Sequence, residues 1–269
     1  MTQPVANARM YSATPQVKAD WKALLRWVLE HAGLPWDVID YDAPAPLSVL
    51  WARDDLGAAM MCGLPYARRT PKPQIVAAPI PSPARYGGQA VYFTDLVVRA
   101  DVPFTTLADT FGGVAGYTLA DSMSGGVAFA HHLEQFRTTP HQRLYRSTVG
   151  NLIHARGVID ALAGGAIDVG PLDSYYHDLL KRNEPAFAAQ VRTVASTNPI
   201  PIPPLVATAA LDDGELQRLR RAFTAAATAP QLEVVLERLL LAGFAFPEPA
   251  DYDRVAAIAA LPHAAFEEL

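Results

Sequence analysis

The sequence predicts an α/β protein built as two lobes. Three observations lead there. Short apolar runs of strand length alternate with helical patterns along most of the chain, which is the signature of βαβ units and largely parallel sheets. The run "NPIPIPP", residues 198–204, places four prolines in seven residues and can only be an extended connector. A long strand around Val97 to Asp101 lies about a hundred residues earlier, so the two flank a central segment of domain size. If the chain crosses at both places, lobe one is 1–97 plus 203–269 and lobe two is 98–202, with a ligand cleft between them at the carboxyl ends of the strands.

The elements follow in order. "VANARMYS" reads as a first strand. Thr14 then caps a helix with Pro15 at its first position, and Val17, Trp21, Leu24, Leu25, Val28 and Leu29 recur at helical spacing until Gly33 ends it. "WDVIDY" is a short strand, "APLSVLWARD" a short helix, and "LGAAMMCG" and "PQIVAAPIP" are buried strands. "QAVYFTDLVVRAD" is a longer strand, "TLADTFGG" a short helix and "VAGYTLAD" a strand, followed by a helix from about residue 124 to 137. "LYRSTVG", "AIDVGPLD" and "VRTVAST" are strands, separated by helices over "NLIHARGVIDALAGG" and "SYYHDLLKRNEPAFAAQ". After "LVATAAL" the chain reads as helices, starting near Asp212, Pro230 and Asp251.

Composition excludes several function classes. With 51% hydrophobic and 18% charged residues, the 269-residue chain is globular. The net charge of −5, with no basic cluster beyond Arg68-Arg69 and Arg218, Arg220 and Arg221, argues against a nucleic-acid partner. One cysteine, Cys62, permits no disulfide within the chain and no multi-cysteine zinc site, so neither metal nor cofactor is expected. The longest apolar stretches, such as "VVLERLLLAGFAF", contain charges and are too short to span a bilayer, so no membrane insertion is expected. The first residues lack a basic stretch followed by an apolar one. The expected compartment is therefore the periplasm if a signal peptide has been trimmed, and the cytoplasm otherwise.

The chemistry concentrates in "YTLADSMSGGVAFAHHLEQF", residues 117–136. Ser122, Ser124, Gly125 and Gly126 stand where a strand hands over to a helix. They make either an ordinary helix cap and tight turn, or an anion site formed by backbone N–H groups, the helix dipole and two hydroxyls. Glycines without a β-carbon would let a ligand approach closely. Tyr11 and Tyr66 each follow a strand and are either core tyrosines or ring walls with a hydroxyl donor. Asp173 ends "AIDVGPLD" and either caps the next helix or meets a ligand. His131 and His132 are adjacent and so face different sides, which does not make a metal pair. His141 and His154 are isolated histidines, and Cys62 reads as a buried thiol.

The order of five stretches resembles the substrate-binding components of phosphate/phosphonate ABC transporters, a family of type II periplasmic binding proteins. These are "RMYSATPQVKADWKALLRWVLEHAG", "AAMMCGLPYARR", "YFTDLVVRADVPFTTLADTFGGVAGYTLADSMSGG", "GAIDVGPLDSYYHDLL" and "VRTVASTNPIPIPPLV", spanning about residues 8 to 225. The resemblance implies two α/β lobes joined by two crossing segments. It implies a small phosphonate-, phosphate- or other oxyanion-containing ligand held by Ser122, Ser124 and nearby amides including Gly125. Tyr11 and Tyr66 are expected on the other lobe and Asp173 at the mouth, and a permease is the implied partner. Met123 departs from the family, which has a hydrogen-bonding residue there. His154 lies one residue off the family's "G-S-H" turn. The expected function is a solute-binding protein or ligand sensor. The alternative is an enzyme on the same fold using Asp173 and His154 as acid and base.

Overall fold

A computed structural model of the chain describes residues 3–42, 45–139 and 142–269; His141 lies outside them. The strands are β1 (Val5–Asn7), β2 (Asp37–Val38), β3 (Leu56–Met60), β4 (Gln74–Pro81), β5 (Val91–Tyr92), β6 (Thr94–Arg99) and β7 (Val114–Gly116). They continue as β8 (Ser147–Val149), β9 (Gly170–Asp173), β10 (Val191–Ser196), β11 (Ile200–Pro201), β12 (Leu205–Ala207) and β13 (Leu241–Ala245). The chain forms two compact units, Met1–Val91 with Pro201–Asp253, and Tyr92–Ile200 with Arg254–Leu269.

These bounds return to the first unit two residues earlier than expected, at Pro201, and differ more widely from the expected lobes at two other places, for physical reasons. The long strand is interrupted at Phe93, whose N–H donates to Ser174 Oγ at 3.0 Å, and all of β6 then pairs with β9 and β10 of the second unit. The segment after Asp253 leaves the first unit because Phe266 and Leu269 are buried in the second unit's core beside Phe129, Tyr145 and Val169. Backbone and side-chain bonds hold it there: Tyr145 N–H donates to Leu269 O and Ala264 N–H to Glu134 Oε1, each at 3.0 Å.

The first unit is built on a six-stranded sheet in the order β13-β4-β12-β3-β1-β2. β1 pairs in parallel with β2 and β3, but β12 runs antiparallel to β3 and β4, and β13 antiparallel to β4. The sheet is therefore mixed, not largely parallel. β13 falls in a stretch that the sequence reading assigned to helix. "LLLAGFAF", residues 239–246, is continuously apolar, and such a run does not separate strand from buried helix by periodicity. The helix Glu233–Arg238 stops because Leu240 takes a left-handed φ of 52° and reverses the chain.

The first helix, Pro15–His31, forms as expected: Thr14 Oγ1 accepts the N–H of Val17 at 3.1 Å, and Val17, Trp21, Leu24, Leu25, Val28 and Leu29 are buried. Asp20 on the same helix receives both Nε and Nη2 of Arg238, at 2.8 and 2.6 Å, tying it to the helix Glu233–Arg238. The first strand, by contrast, ends at Asn7. Asn7 Oδ1 accepts the N–H of Arg9 at 2.8 Å, and this side-chain turn starts the single 3-10 turn Arg9–Tyr11.

The second unit holds the antiparallel sheet β10-β6-β9 and the parallel pair β7-β8. β7 leads into a turn over 117–122, then a π-helical turn Met123–Val127 and the helix Ala128–Leu133. β8 leads through 150–154 into the helix Ala155–Ala163. β9 leads directly into the helix Ser174–Asn183. Three helix starts thus follow three strand ends in this unit.

Candidate functional site

At the first of these starts, Ser122 is the N-cap and its Oγ accepts the N–H of Gly125 at 3.2 Å. The chain is folded tightly beneath it. Thr118 N–H donates to Gly125 O at 2.8 Å, Val127 N–H to Ser122 O at 3.0 Å, and the Thr94 hydroxyl to Ser124 O at 3.0 Å. A β-carbon on Gly125 would stand 1.7 Å from Thr118 Oγ1, and one on Gly126 would stand 2.5 Å from Leu119 O. The two glycines therefore admit the 117–119 stretch of the chain. The expectation that they open the backbone to a ligand is corrected: their α-carbons face protein.

The donors left over lie elsewhere on the turn. The N–H groups of Met123 and Ser124 fall in the first turn, where no helical acceptor exists. Neither they nor Ser124 Oγ make a hydrogen bond among the described residues. Ser122 Oγ accepts one bond and keeps its own proton to donate. The Met123 side chain is buried, 2% exposed, so only its backbone belongs to this set. The residues 114–136 contain no Lys or Arg.

The start after β9 is different. Ser174 N–H donates to Phe93 O at 2.9 Å, and Asp173 Oδ1 accepts the N–H groups of Tyr175 and Tyr176, each at 3.0 Å. All three first-turn donors have partners inside the protein, so Asp173 fulfils the capping reading of its position. His154 also caps: its Nδ1 accepts the N–H of Gly157 at 3.1 Å, and the residue is exposed. That bond leaves the proton of a neutral ring on Nε2, as a donor. Asn151 and Ile153, just before it, have left-handed φ of 57° and 66°. For a β-branched residue such as Ile153 that conformation is strained. The 152–153 backbone donates to Tyr117 O at 3.3 Å and Thr118 O at 3.4 Å, which sets the His154 cap beside the Ser122 turn.

Tyr11 and Tyr66 belong to the first unit. Tyr11 lies in the 3-10 turn and is 1% exposed. Tyr66 lies on the helix Gly63–Arg68, packs edge-on against Tyr252 at 4.9 Å between centroids, and is fully buried. Its hydroxyl finds no hydrogen-bond partner among the described residues. Burial, with Asp253 and Glu248 adding to it, pushes its pKa from 10.0 up to about 12, so it is a protonated donor at neutral pH. Cys62 is half-buried and places its Sγ 3.8 Å from Met10 Sδ.

Sequence reasoning missed two features of the second unit. One is Thr94. The other is the fully buried pair in which Asp95 Oδ2 meets His177 Nδ1 at 2.9 Å, with Asp95 Oδ1 accepting from the exposed Ser196 Oγ at 2.8 Å. The sequence read Thr94 and Asp95 only as strand, and read His177 only as part of a helix. Their pairing spans 82 residues, which no local pattern encodes.

Comparison with known proteins identifies the family and the fold. The profile of the ABC-transporter phosphonate periplasmic substrate-binding proteins matches residues 11–252. A binding protein component of an ABC phosphonate transporter from Pseudomonas aeruginosa superposes with a TM-score of 0.73 at 18% identity, covering 99% of this chain and 92% of that one. PhnD1 from Prochlorococcus marinus, solved with methylphosphonate, gives 0.74 at 13% identity, covering 95% and 96%. A Xanthomonas citri protein solved with ATP gives 0.64 at 20% identity, covering 96% of each chain. No curated protein matches in sequence. The fold is that of the two-lobed type II periplasmic binding proteins. Matched by its profile over nearly all its length, the chain belongs to the periplasmic substrate-binding proteins of ABC phosphonate transporters.

Proposed function

We propose that this chain binds a small oxyanion of the phosphonate or phosphate class at the Ser122–Gly125 turn and delivers it to an ABC permease from the periplasm. The carrying observation is the pair of first-turn N–H groups, Met123 and Ser124, that have no acceptor among the described residues, with the Ser124 hydroxyl beside them. Such a set offers charge-assisted hydrogen bonds and the positive end of the helix dipole, so no cationic side chain is needed. The exposed His154, capping through Nδ1, supplies a further donor at Nε2.

The ligands of the structural relatives, methylphosphonate for PhnD1 and ATP for the Xanthomonas protein, share an oxyanion, and that shared chemistry is what we carry over. Acid–base use of Asp173 and His154 gains no support from the geometry, because each side chain is engaged at the start of its own helix. The test is calorimetric titration of the purified protein with methylphosphonate, inorganic phosphate and ATP, with an uncharged sugar as control. Saturable one-to-one binding of at least one oxyanion is the expected result. No heat with any of the three refutes the reading.

A further inference from the structure

We propose that Thr94 is a positioning residue of the anion site: from β6, its hydroxyl fixes the Ser124–Gly125 peptide and so sets the direction of the donors that meet the ligand. This rests on the oxyanion reading of the turn. Thr94 is 1% exposed and is held on both sides. Its N–H donates to Thr197 Oγ1 and its carbonyl accepts from Thr197 N–H, each at 3.0 Å. In the sheet it stands opposite Asp173, the cap of the neighbouring helix. Its remaining polar group, Oγ1, donates to Ser124 O at 3.0 Å.

A peptide unit is planar, so its C=O and N–H point in opposite directions. The Ser124 carbonyl is drawn toward Thr94. The N–H of the same peptide, on Gly125, is held by Ser122 Oγ at 3.2 Å. The next carbonyl, Gly125 O, accepts from Thr118 N–H at 2.8 Å. The peptide is thus pinned at both ends, and the helix opens as a π-turn, a form that recurs where function distorts a helix. The preceding amides, Met123 and Ser124, inherit their direction from it. Thr94 never meets the ligand. It acts through Ser124.

The experiment compares T94V, which keeps the shape and removes the donor, with T94S, which keeps the donor. Affinity for methylphosphonate and phosphate is measured by calorimetry, and hydrogen exchange over residues 117–128 is followed in ligand-free protein. For T94V we expect a tenfold or greater loss of oxyanion affinity and faster exchange of the Thr118, Gly125 and Val127 amides. T94S should retain both properties within about threefold. Unchanged exchange in T94V overturns the proposal. So does faster exchange with unchanged affinity, which leaves Thr94 a purely structural residue. If the wild-type protein binds none of methylphosphonate, phosphate and ATP, the oxyanion reading fails separately, and exchange alone decides whether Thr94 pins the turn.

Discussion

Ser122 and Ser124 have different jobs in this geometry, and single substitutions should separate them. Ser122 Oγ is the helix cap, accepting from Gly125 N–H at 3.2 Å, whereas Ser124 Oγ has no partner among the described residues. Ser124→Ala therefore removes nothing from the ligand-free fold. Bound to an oxyanion, it would lose one charge-assisted hydrogen bond, worth about 1.5–3 kcal/mol. At about 1.4 kcal/mol per tenfold, the dissociation constant should rise roughly ten- to a hundredfold with no change in thermal midpoint. Ser122→Ala should weaken binding by a similar factor and also cost about 1 kcal/mol of stability as a lost cap. The assay is calorimetric titration with the oxyanion that the wild type binds, paired with thermal unfolding of both variants. Wild-type affinity in Ser124→Ala would refute the reasoning, and so would a stability loss in Ser124→Ala equal to that of Ser122→Ala.

Further expectations concern the buried tyrosines and Gly125. Tyr66→Phe removes a buried hydroxyl with no partner, so stability should hold or rise by about 1 kcal/mol; a clear drop in the unfolding midpoint contradicts this. Tyr66 rises from 10.0 to about 12 in the folded protein, and Tyr145 and Tyr252 are raised as well, mainly by burial. A phenol whose folded pKa exceeds its unfolded value contributes stability that is complete below pH 10 and is lost as pH rises toward 12. Denaturant midpoints measured across that window should fall steadily, and a flat profile would show these rings to be solvated. Gly125→Ala places a β-carbon 1.7 Å from Thr118 Oγ1, so the turn must open, at a cost of about 1–3 kcal/mol and with loss of binding; retention of both, by thermal unfolding and titration, rejects the close-approach role of this glycine.

What the sequence disclosed was what local physics writes. The Thr14-Pro15 start and the buried stripe of the first helix are both present, because cap and periodicity act within a few residues. The Asp212 start is also as read, completed by Glu215 as a capping box. The failures lie where long-range pairing overrides local pattern. β13 looks like helix until β4 is there to pair with it, at a separation of roughly 160 residues. Residues 254–269 look like the natural end of the first lobe, yet Phe266 stacks on Tyr117 at 4.3 Å in the second unit. β1 stops early because a single asparagine oxygen diverts the backbone at Arg9.

The site poses a subtler problem, because a helix cap and an anion site are written with the same residues. Ser122, His154 and Asp173 each follow a strand and begin a helix, and from sequence each supports both readings. What separates them is the number of first-turn donors left once the protein has satisfied what it can. After Asp173 none of the three remains, because one side-chain oxygen takes two and Phe93 O takes the third. After Ser122 only Gly125 is satisfied, because a serine oxygen reaches one N–H and the chain below accepts none from Met123 or Ser124. The remainder depends on Phe93 and Thr94, residues about thirty to eighty positions away that no motif joins to the turns. The serine turn is the open one because the chain entering β6 spends the carbonyl of Phe93 on one helix and the hydroxyl of Thr94 on a carbonyl of the other. One strand end thus closes the donor set after β9 and steadies the donor set after β7, and that assignment exists only in the folded chain.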